Sequence, residues 1–167
     1  STTQHLIEKN RKRIAIIAGP KNLLASKLRL NGYKVALQQN GIPFEKDLVA
    51  HTRFRSTDVE KAFDKWMQLK SPPNGICSIY DAGAIKIIQL IKERGLKIPK
   101  DIAVVGFGND PSASIIDPSL TSFAQKPYEI GITAGKYMLE LLNDIYSIPH
   151  SEMNICKGHL IIRASSK

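Results

Sequence analysis

The stretch DIAVVGFGNDPSASIIDPSLTSF, residues 101–123, decides the fold prediction for this chain. It opens with four apolar residues, 102–105, a run typical of a parallel strand that is covered on both faces. Gly106 and Gly108 allow a tight turn where this strand ends, and a polar loop then leads to a second short strand, 120–124. Because ligands of open α/β sheets bind beyond the carboxyl ends of the strands, this loop is the first candidate for a binding site.

The rest of the chain alternates predicted strands and helices. Parallel neighbours need crossover connections of a dozen or more residues, and each predicted helix supplies one. We therefore predict an α/β fold with a mainly parallel sheet and helices on both faces. The other strands are predicted at 13–18, 48–52, 76–80, 154–156 and 160–163, and the helices at 22–39, through 59–67, at 82–94 and at 127–143.

The spacing of apolar residues predicts which helix faces are buried. Trp66 falls on a clear apolar stripe and is expected in the core. Helix 82–94 is apolar on more than one side, which favours burial against the sheet and also against something else, such as a partner subunit. The inner side of helix 22–39 is predicted to consist of Leu24, Leu28, Gly32, Ala36 and either Val35 or Leu37.

Composition is ordinary for a folded soluble protein, with 43% hydrophobic and 23% charged residues among 167. No apolar run approaches the ~20 residues of a membrane span, and the N-terminus lacks the features of a signal peptide, so a cytoplasmic location is expected. Cys77 and Cys156 both fall in predicted buried strands. Two buried thiols are expected to be core residues rather than a disulfide or metal ligands.

The formal charge of +9 raises the question of nucleic-acid binding. The one basic cluster, Lys9 to Arg13, lies where a helix is predicted to end, and cations there also complement the helix dipole. No zinc-finger, helix-turn-helix or RNA-binding signature is present. DNA binding by these residues themselves is therefore not expected.

Catalytic patterns are missing from the sequence. It contains neither a Gly-x-Ser-x-Gly elbow nor a Walker loop, and its four histidines show no metal-ligand spacing. The loop acids Asp101, Asp110 and Asp117 are typical turn formers. We expect no enzyme activity, no metal and no cofactor.

Several motifs in order along the chain carry a family resemblance. They are HLIEKNRKRIAIIAGP at 5–20, RLNGY at 29–33, YDAGAIKIIQLIKERG at 80–95, LKIPKDIAVVGFGND at 96–110, DPSLTSFAQKPYEIGITAGKYMLELL at 117–142 and LIIRASS at 160–166. With these motifs the chain resembles the effector-binding domain of the lac repressor and galactose repressor family of bacterial transcription regulators. The resemblance covers nearly the whole chain, and the motifs are specific as a set.

The resemblance implies a periplasmic-binding-protein-like fold of type I, in which two α/β lobes enclose an effector cleft. Residues 1–124 would form the C-terminal lobe, 125–150 a returning segment of the N-terminal lobe, and 151–167 the closing strands of the C-terminal lobe. The family's DNA-binding helix-turn-helix and most of its first lobe would precede Ser1. The apolar face of helix 127–143 would then lack its usual partner.

Effector-binding residues can be carried over by position. Arg29 matches an arginine that reaches the effector, and its planar fork suits paired hydroxyls or a carboxylate. Phe54 matches an aromatic that stacks on a sugar or base, although a packing role is equally compatible with its position. The remaining matches are Tyr80, Asn109 and Gln125.

One departure from the family pattern affects the ligand. The acid that usually follows Gly-Phe or Gly-Tyr in this family is replaced by Gly108. The usual acceptor for sugar hydroxyls is therefore missing, and the effector stays open between a sugar, a sugar derivative and a purine-like molecule.

The family's two-fold interface implies a homodimer. It would use the helix at 82–94 and the loop at 112–117, with Ile85, Ile88, Ile115 and Ile116 at the contact. The function that the resemblance implies is a small-molecule-binding and dimerisation domain of a transcriptional regulator, with operator DNA bound only through the N-terminal domain. The alternative is a fragment of a periplasmic sugar-binding transport protein, which would share the fold.

Overall fold

The structure, a computed structural model, describes residues 2–143 and 155–167. The strands in these ranges form one sheet in the order β2-β1-β3-β4-β5-β6. Strands β1 to β5 pair in parallel, and β6 pairs antiparallel with β5. The elements are α1 (Thr2–Glu8), β1 (Ile14–Ala18), α2 (Leu24–Gln39), a 3-10 turn (Lys46–Leu48), β2 (Val49–His51), α3 (Ser56–Met67), β3 (Gly75–Ser78), α4 (Asp81–Glu93), β4 (Ala103–Gly108), α5 (Ser112–Ile115), β5 (Thr121–Ala124), α6 (Pro127–Asn143) and β6 (His159–Ile161).

Apolar side chains alternate between the two faces of the sheet, so each face has its own core. Helices α3 and α4 cover one face, and α1 and α2 cover the other. This arrangement confirms the predicted α/β fold with a mainly parallel sheet and helices on both sides. The strand residues are Ala15, Ile17, Ile76 and Val104 in the first core, and Ile14, Ile16, Cys77, Ala103 and Val105 in the second.

The predicted inner face of α2 is largely wrong. Leu24 and Leu28 are 69% and 63% exposed, and the buried residues include Tyr33 and Leu37. Tyr33 can be buried because its hydroxyl donates a hydrogen bond of 2.7 Å to the carbonyl of Ile14. The periodicity of the leucines therefore marked the wrong side of the helix, and of the predicted residues only Ala36 and Leu37 lie inward.

Helix α4 is buried on two sides, as its breadth of apolar residues predicted. One side faces the sheet and the other faces α3, whose Trp66 is buried as expected and donates a hydrogen bond of 2.9 Å to the carbonyl of Asp47. Ile88 is only 3% exposed, because it packs in this core. Most of the apolar surface of α4 is therefore buried within the chain.

Three local predictions were wrong. The loop after β4 contains a short helix, α5, and Cys156 is half-buried outside any strand instead of being a buried strand residue. Residues 155–156 form no strand, while residue 154 lies outside the described ranges.

Burial raises the pKa of the Cys77 thiol to about 11, consistent with a core residue.

The C-terminal segment ties α1 to the sheet through a chain of hydroxyl groups. The ring of His5 hydrogen-bonds to Ser166 Oγ at 2.8 Å, and this hydroxyl donates to Thr121 Oγ1 at 2.7 Å. Ser165 Oγ donates to the carbonyl of Val104 at 2.6 Å. Burial lowers the pKa of His5, so the imidazole is neutral in this network at neutral pH.

Helix α6 stands apart from the two cores, since none of its described residues belongs to either cluster. Many of the apolar side chains along it are exposed. They are Tyr128, Ile130, Ile132, Tyr137, Met138, Leu139, Leu141 and Leu142.

Two leucines on α2 provide a matched test of which face is buried. We expect Leu37→Ala to lower the free energy of unfolding by about 2–5 kcal/mol, because a leucine that is 2% exposed leaves a cavity when truncated. The control, Leu28→Ala, is expected to change it by less than about 0.5 kcal/mol. Urea unfolding of both variants checks this, and equal losses would contradict the assigned face.

Candidate effector cleft

The carboxyl ends of the parallel strands meet at one edge of the sheet, here called the cleft edge. Four of the five predicted effector-binding residues follow strands at this edge. Phe54 comes after β2, Tyr80 after β3, Asn109 after β4 and Gln125 after β5. A doubly wound sheet binds ligands at such an edge, so the topology places these residues where a ligand site is expected.

Arg29 reaches the cleft edge from α2. Its Nη1 donates a hydrogen bond of 3.0 Å to the carbonyl of Ile79, and its guanidinium lies 3.9 Å from the ring centre of Phe107. Phe107 in turn stacks on Phe123 with ring centres 5.0 Å apart. Burial lowers the pKa of Arg29, which nonetheless stays protonated at neutral pH. The result is a fixed, half-buried cation on an aromatic platform.

Phe54 and Tyr80 form a second aromatic pair. Their rings are 5.0 Å apart and nearly perpendicular, at 86°. Phe54 has a φ of 62° and is 48% exposed. A left-handed backbone is rare for an aromatic residue, and such strain costs of order 1–3 kcal/mol and clusters at functional sites.

Gly19 provides the space beneath the Phe54 ring. A Cβ at Gly19 would come within 2.9 Å of that ring. The hydroxyl of Ser26 lies beside the same space, is buried, and has no hydrogen-bond partner among the described residues. The loop after β1 and the loop after β2 are therefore packed closely together by the absence of a side chain at Gly19.

Asp81 fixes the shape of the cleft edge. One oxygen of its buried carboxyl group accepts from Ser122 Oγ at 2.6 Å, and the other accepts from the backbone N–H of Asp110 at 2.7 Å. A Cβ at Gly106 would overlap this carboxyl group. Asp81 therefore joins α4, β5 and the loop after β4.

Asn109 and Gln125 differ in how they are held. The side-chain oxygen of Asn109 accepts from Arg163 at 2.8 Å, and its backbone N–H donates to Ser122 Oγ at 3.0 Å. Gln125 is exposed.

Gly108 has a φ of 135°, a backbone region that favours glycine. An acid at this position would therefore be strained.

A cavity of about 160 Å³ opens beside Arg29, between the sheet and helices α1 and α2. Phe107 and the carboxyl end of β3 also line it. Sequence reasoning did not select Phe107 or Phe123, and the signal that could have found them is an aromatic residue at the carboxyl end of each strand. The residues that line the cavity include Thr3, Arg29, Tyr33, Ser78, Ile79 and Phe107.

The residues predicted for a dimer contact fall into two groups. Ile115 on α5 is 80% exposed, and Ile85 and Ile116 are half-buried. Ile88 is packed in the core of the chain and offers little surface. Any contact by this face therefore centres on Ile115, Ile116 and Ile85.

Within residues 2–143 and 155–167, no three His, Cys, Asp or Glu side chains are grouped in a way that could hold a metal ion. No helix in the described part of the chain combines the length and the apolar character of a membrane span.

Fold and site together define a class of protein. A doubly wound lobe with polar and aromatic residues at its carboxyl edge is typical of α/β folds that bind small ligands. A model of the periplasmic binding protein-like domain matches residues 3–166. The chain therefore belongs to this domain family, in the form found in LacI-family transcriptional regulators.

Curated relatives include transcriptional repressors. The chain is 33% identical over 163 residues to the HTH-type transcriptional repressor CytR of Escherichia coli K12, covering 98% of this chain and 47% of the relative. It is 27% identical over 157 residues to the HTH-type transcriptional repressor PurR of Aliivibrio salmonicida, covering 94% and 46%. The chain thus spans about half the length of these relatives, which are repressors and not enzymes.

Solved structures show the same fold. A LacI transcriptional regulator from Bacillus cereus subsp. cytotoxis matches with a TM-score of 0.92 and 26% identity, over 99% of this chain and 58% of that chain. A complex of the transcriptional regulator CelR with cellobiose matches with a TM-score of 0.88 and 26% identity, over 98% and 50%. Both of these neighbours are transcriptional regulators.

Two glycines provide a matched test of the packing at Asp81. We expect Gly106→Ala to destabilise the protein by about 1–3 kcal/mol, because the added methyl group overlaps the Asp81 carboxyl group and Leu120. Gly32→Ala is the control. It lies in α2 with nothing within 4 Å of the added carbon, and is expected to stabilise by about 0.5–1 kcal/mol. Thermal unfolding of both variants measures the difference, and a neutral Gly106→Ala would refute the packing.

Proposed function

We propose that this chain is the effector-binding and dimerisation domain of a LacI-family transcriptional regulator. A small molecule would bind between the cleft edge described above and a second lobe, and would change the affinity of the full-length protein for operator DNA. The observation that carries this proposal is Arg29, a fixed cation that faces a cavity at the carboxyl edge of a regulator fold.

The division of the chain follows from the same proposal. Residues 1–124 and 151–167 would belong to the C-terminal lobe, and 125–150 to the N-terminal lobe. Two observations support it: β6 pairs with β5 in the main sheet, and α6 exposes its apolar side chains. Residues 144–154 lie outside the described ranges.

DNA contact would come from elsewhere in the full-length protein. The relatives are named HTH-type repressors, and the chain spans about half of their length. These facts support a helix-turn-helix domain beyond the lobe described here, and a cytoplasmic location where the protein can reach DNA.

The effector contacts are assigned to five residues. Arg29 would bind a polar or charged group, and Phe54 and Tyr80 would offer ring surfaces to the ligand. Gln125 is exposed and free to reach across the cleft, whereas Asn109 is held by Arg163 and would act through its remaining N–H groups.

Loss of the Arg29 side chain tests this site. In the full-length protein, Arg29→Ala is expected to weaken effector binding by about 1.5–3 kcal/mol, the scale for losing a hydrogen bond to a charged group. A thermal-shift screen of sugars, sugar acids and purines identifies the effector, because ligands of the native state raise its stability. Calorimetry then measures the affinity of the native protein and of Arg29→Ala for this effector. Lys27→Ala, an exposed neighbour on α2, is the control, and unchanged affinity in Arg29→Ala would remove Arg29 from the site.

Homodimerisation is proposed through α4 and α5. The exposed Ile115 and the half-buried Ile85 and Ile116 support it, since exposed apolar side chains can mark contact surfaces. We expect light scattering of the full-length protein to give the mass of a dimer, and Ile115→Asp to shift the equilibrium toward monomer. Leu24→Asp on α2 serves as the control. A native protein that is monomeric at about 50 μM would contradict the proposal, since obligate interfaces hold well below this concentration.

A further inference from the structure

The outward face of α2 carries the residue spacing of a helix that pairs with a second helix. Its positions follow one another at alternating intervals of four and three residues, which is the heptad spacing of a coiled-coil seam. This face, here called the outer stripe, consists of Leu24, Leu28, Asn31, Val35 and Gln38. All five are exposed, because the residues that bury α2 against the sheet, which include Tyr33 and Leu37, lie on the opposite side of the helix.

The apolar side chains of the outer stripe lie outside both cores of the chain. Leu24 and Leu28 are each more than half exposed, and Val35 is 40% exposed. None of the three belongs to the residues that form the two clusters or pack against them. Exposed apolar side chains that are spaced along one helix face can mark a contact surface. The heptad spacing of these residues is therefore explained if the outer stripe binds another molecule.

A row of positive charge runs along one side of the outer stripe. Lys27 and Lys34 occupy the positions called g in the heptad, from which charged side chains pair with a partner helix in coiled coils. Both are exposed, and a cation–π contact of 4.9 Å holds the ammonium group of Lys34 over the ring of Phe44. Residues 19–44 include no aspartate or glutamate. The anions that complement this surface therefore have to come from the molecule that binds it.

The other side of the outer stripe is open. Its heptad positions hold Ala25 and Gly32, and a Cβ at Gly32 would have nothing within 4 Å. Small residues beside a seam let a second helix approach closely, toward the lower end of the usual distance of about 8–10 Å between helix axes. The surface is therefore suited to one helix, with positive charge on one flank and space on the other.

A second copy of this chain complements the outer stripe poorly. In an antiparallel pair of these helices the g positions face each other, so Lys27 and Lys34 would meet lysines, and like charges across an interface are unfavourable. In a parallel pair the same lysines would face Ala25 and Gly32, which carry no charge. Either pairing leaves the positive row without anions.

A lipid surface and the second lobe of the proposed fold also fit the outer stripe less well than a helix does. Asn31 and Gln38 place amides within it, which are costly in hydrocarbon, whereas a polar seam residue sets the register of helix pairs. Helix α2 begins at the cleft edge and runs away from it, so Val35 lies about 16 Å from Leu24 along the helix axis. A lobe that faces the cleft edge would cover only the beginning of the outer stripe.

We propose that the outer stripe is a docking site for an amphipathic helix of another protein, which carries apolar residues along its seam and aspartate or glutamate beside them. The apolar residues pack on the leucines and Val35, and the acids pair with Lys27 and Lys34. Helices α3 and α4 lie on the other face of the sheet, so the docked helix leaves the proposed dimer surface free. The docking site also stands apart from the proposed effector site, so that either proposal can fail alone.

Two designed peptides test the docking site on the full-length protein. The acidic probe has about three heptads with leucine at the seam positions and glutamate on both flanks, and repulsion between its glutamates keeps it from pairing with itself. The basic probe has lysine at the same flanking positions. We expect the acidic peptide to bind about ten-fold or more tightly than the basic peptide in fluorescence anisotropy, because its charges oppose those of Lys27 and Lys34.

Charge reversal assigns the preference to α2. Lys27→Glu combined with Lys34→Glu is expected to reverse the order, so that the basic peptide binds more tightly than the acidic one. Leu28→Ala is expected to weaken binding of the acidic peptide about five-fold or more, because apolar contact is lost at an exposed residue that the fold does not need. Lys61→Glu, at an exposed position of α3, is the matched control and should keep the native preference.

Four results would overturn the proposal. The first is equal affinity for the two peptides, and the second is a preference that the double charge reversal leaves unchanged. The third is binding of phosphatidylglycerol vesicles that is lost in Leu28→Ala, which would assign the outer stripe to a membrane surface. The fourth is a lower oligomeric mass of Leu28→Ala in light scattering, which would assign it to a second copy of the chain.

Discussion

The buried carboxyl group of Asp81 is the constraint on which the cleft edge depends. It sits at the start of α4 and accepts hydrogen bonds from Ser122 on β5 and from the loop after β4. Three elements that are distant in sequence are thereby fixed against one another. The requirement explains Gly106, since any side chain there would displace the carboxyl group. A buried acceptor with both donors in place stabilises the fold, whereas removing it would leave donors unsatisfied at about 1–3 kcal/mol.

Once this corner is fixed, the remaining cleft residues are placed by the strands. Phe107 and Phe123 lie opposite each other in the register of β4 and β5, so their rings stack. The guanidinium of Arg29 packs on the ring of Phe107. The guanidinium is held by an aromatic face and a carbonyl, neither of which neutralises it. A rigid cation of this kind suits the proposed role in sensing, because it would bind a ligand without reacting with it.

The fold was predictable because its signals are local. Apolar strand runs, glycine stops and helix periodicity gave the α/β order, and Trp66 was correctly assigned to the core. The buried face of α2 was not predictable in this way. Tyr33 is buried because its hydroxyl group donates a hydrogen bond to the Ile14 carbonyl, whereas the more apolar Leu24 and Leu28 stay exposed. The contacts of Asp81 could not be predicted because they are long-range. Its two hydrogen bonds join residues separated by 29 and 41 positions in the sequence, and the periodicity of apolar residues does not indicate such contacts. The positions of Arg29, Phe54 and Tyr80 came from family resemblance, and their roles stay predictions.

The central claim is that this lobe senses a small molecule in order to control DNA binding. It is tested most directly by the affinity of the full-length protein for its operator, measured by fluorescence anisotropy with and without the effector. The account predicts that the effector changes the dissociation constant by about five-fold or more, the scale of allosteric coupling, and that Arg29→Ala abolishes this response while leaving DNA binding without effector intact. An effector that binds with unchanged operator affinity would contradict the account.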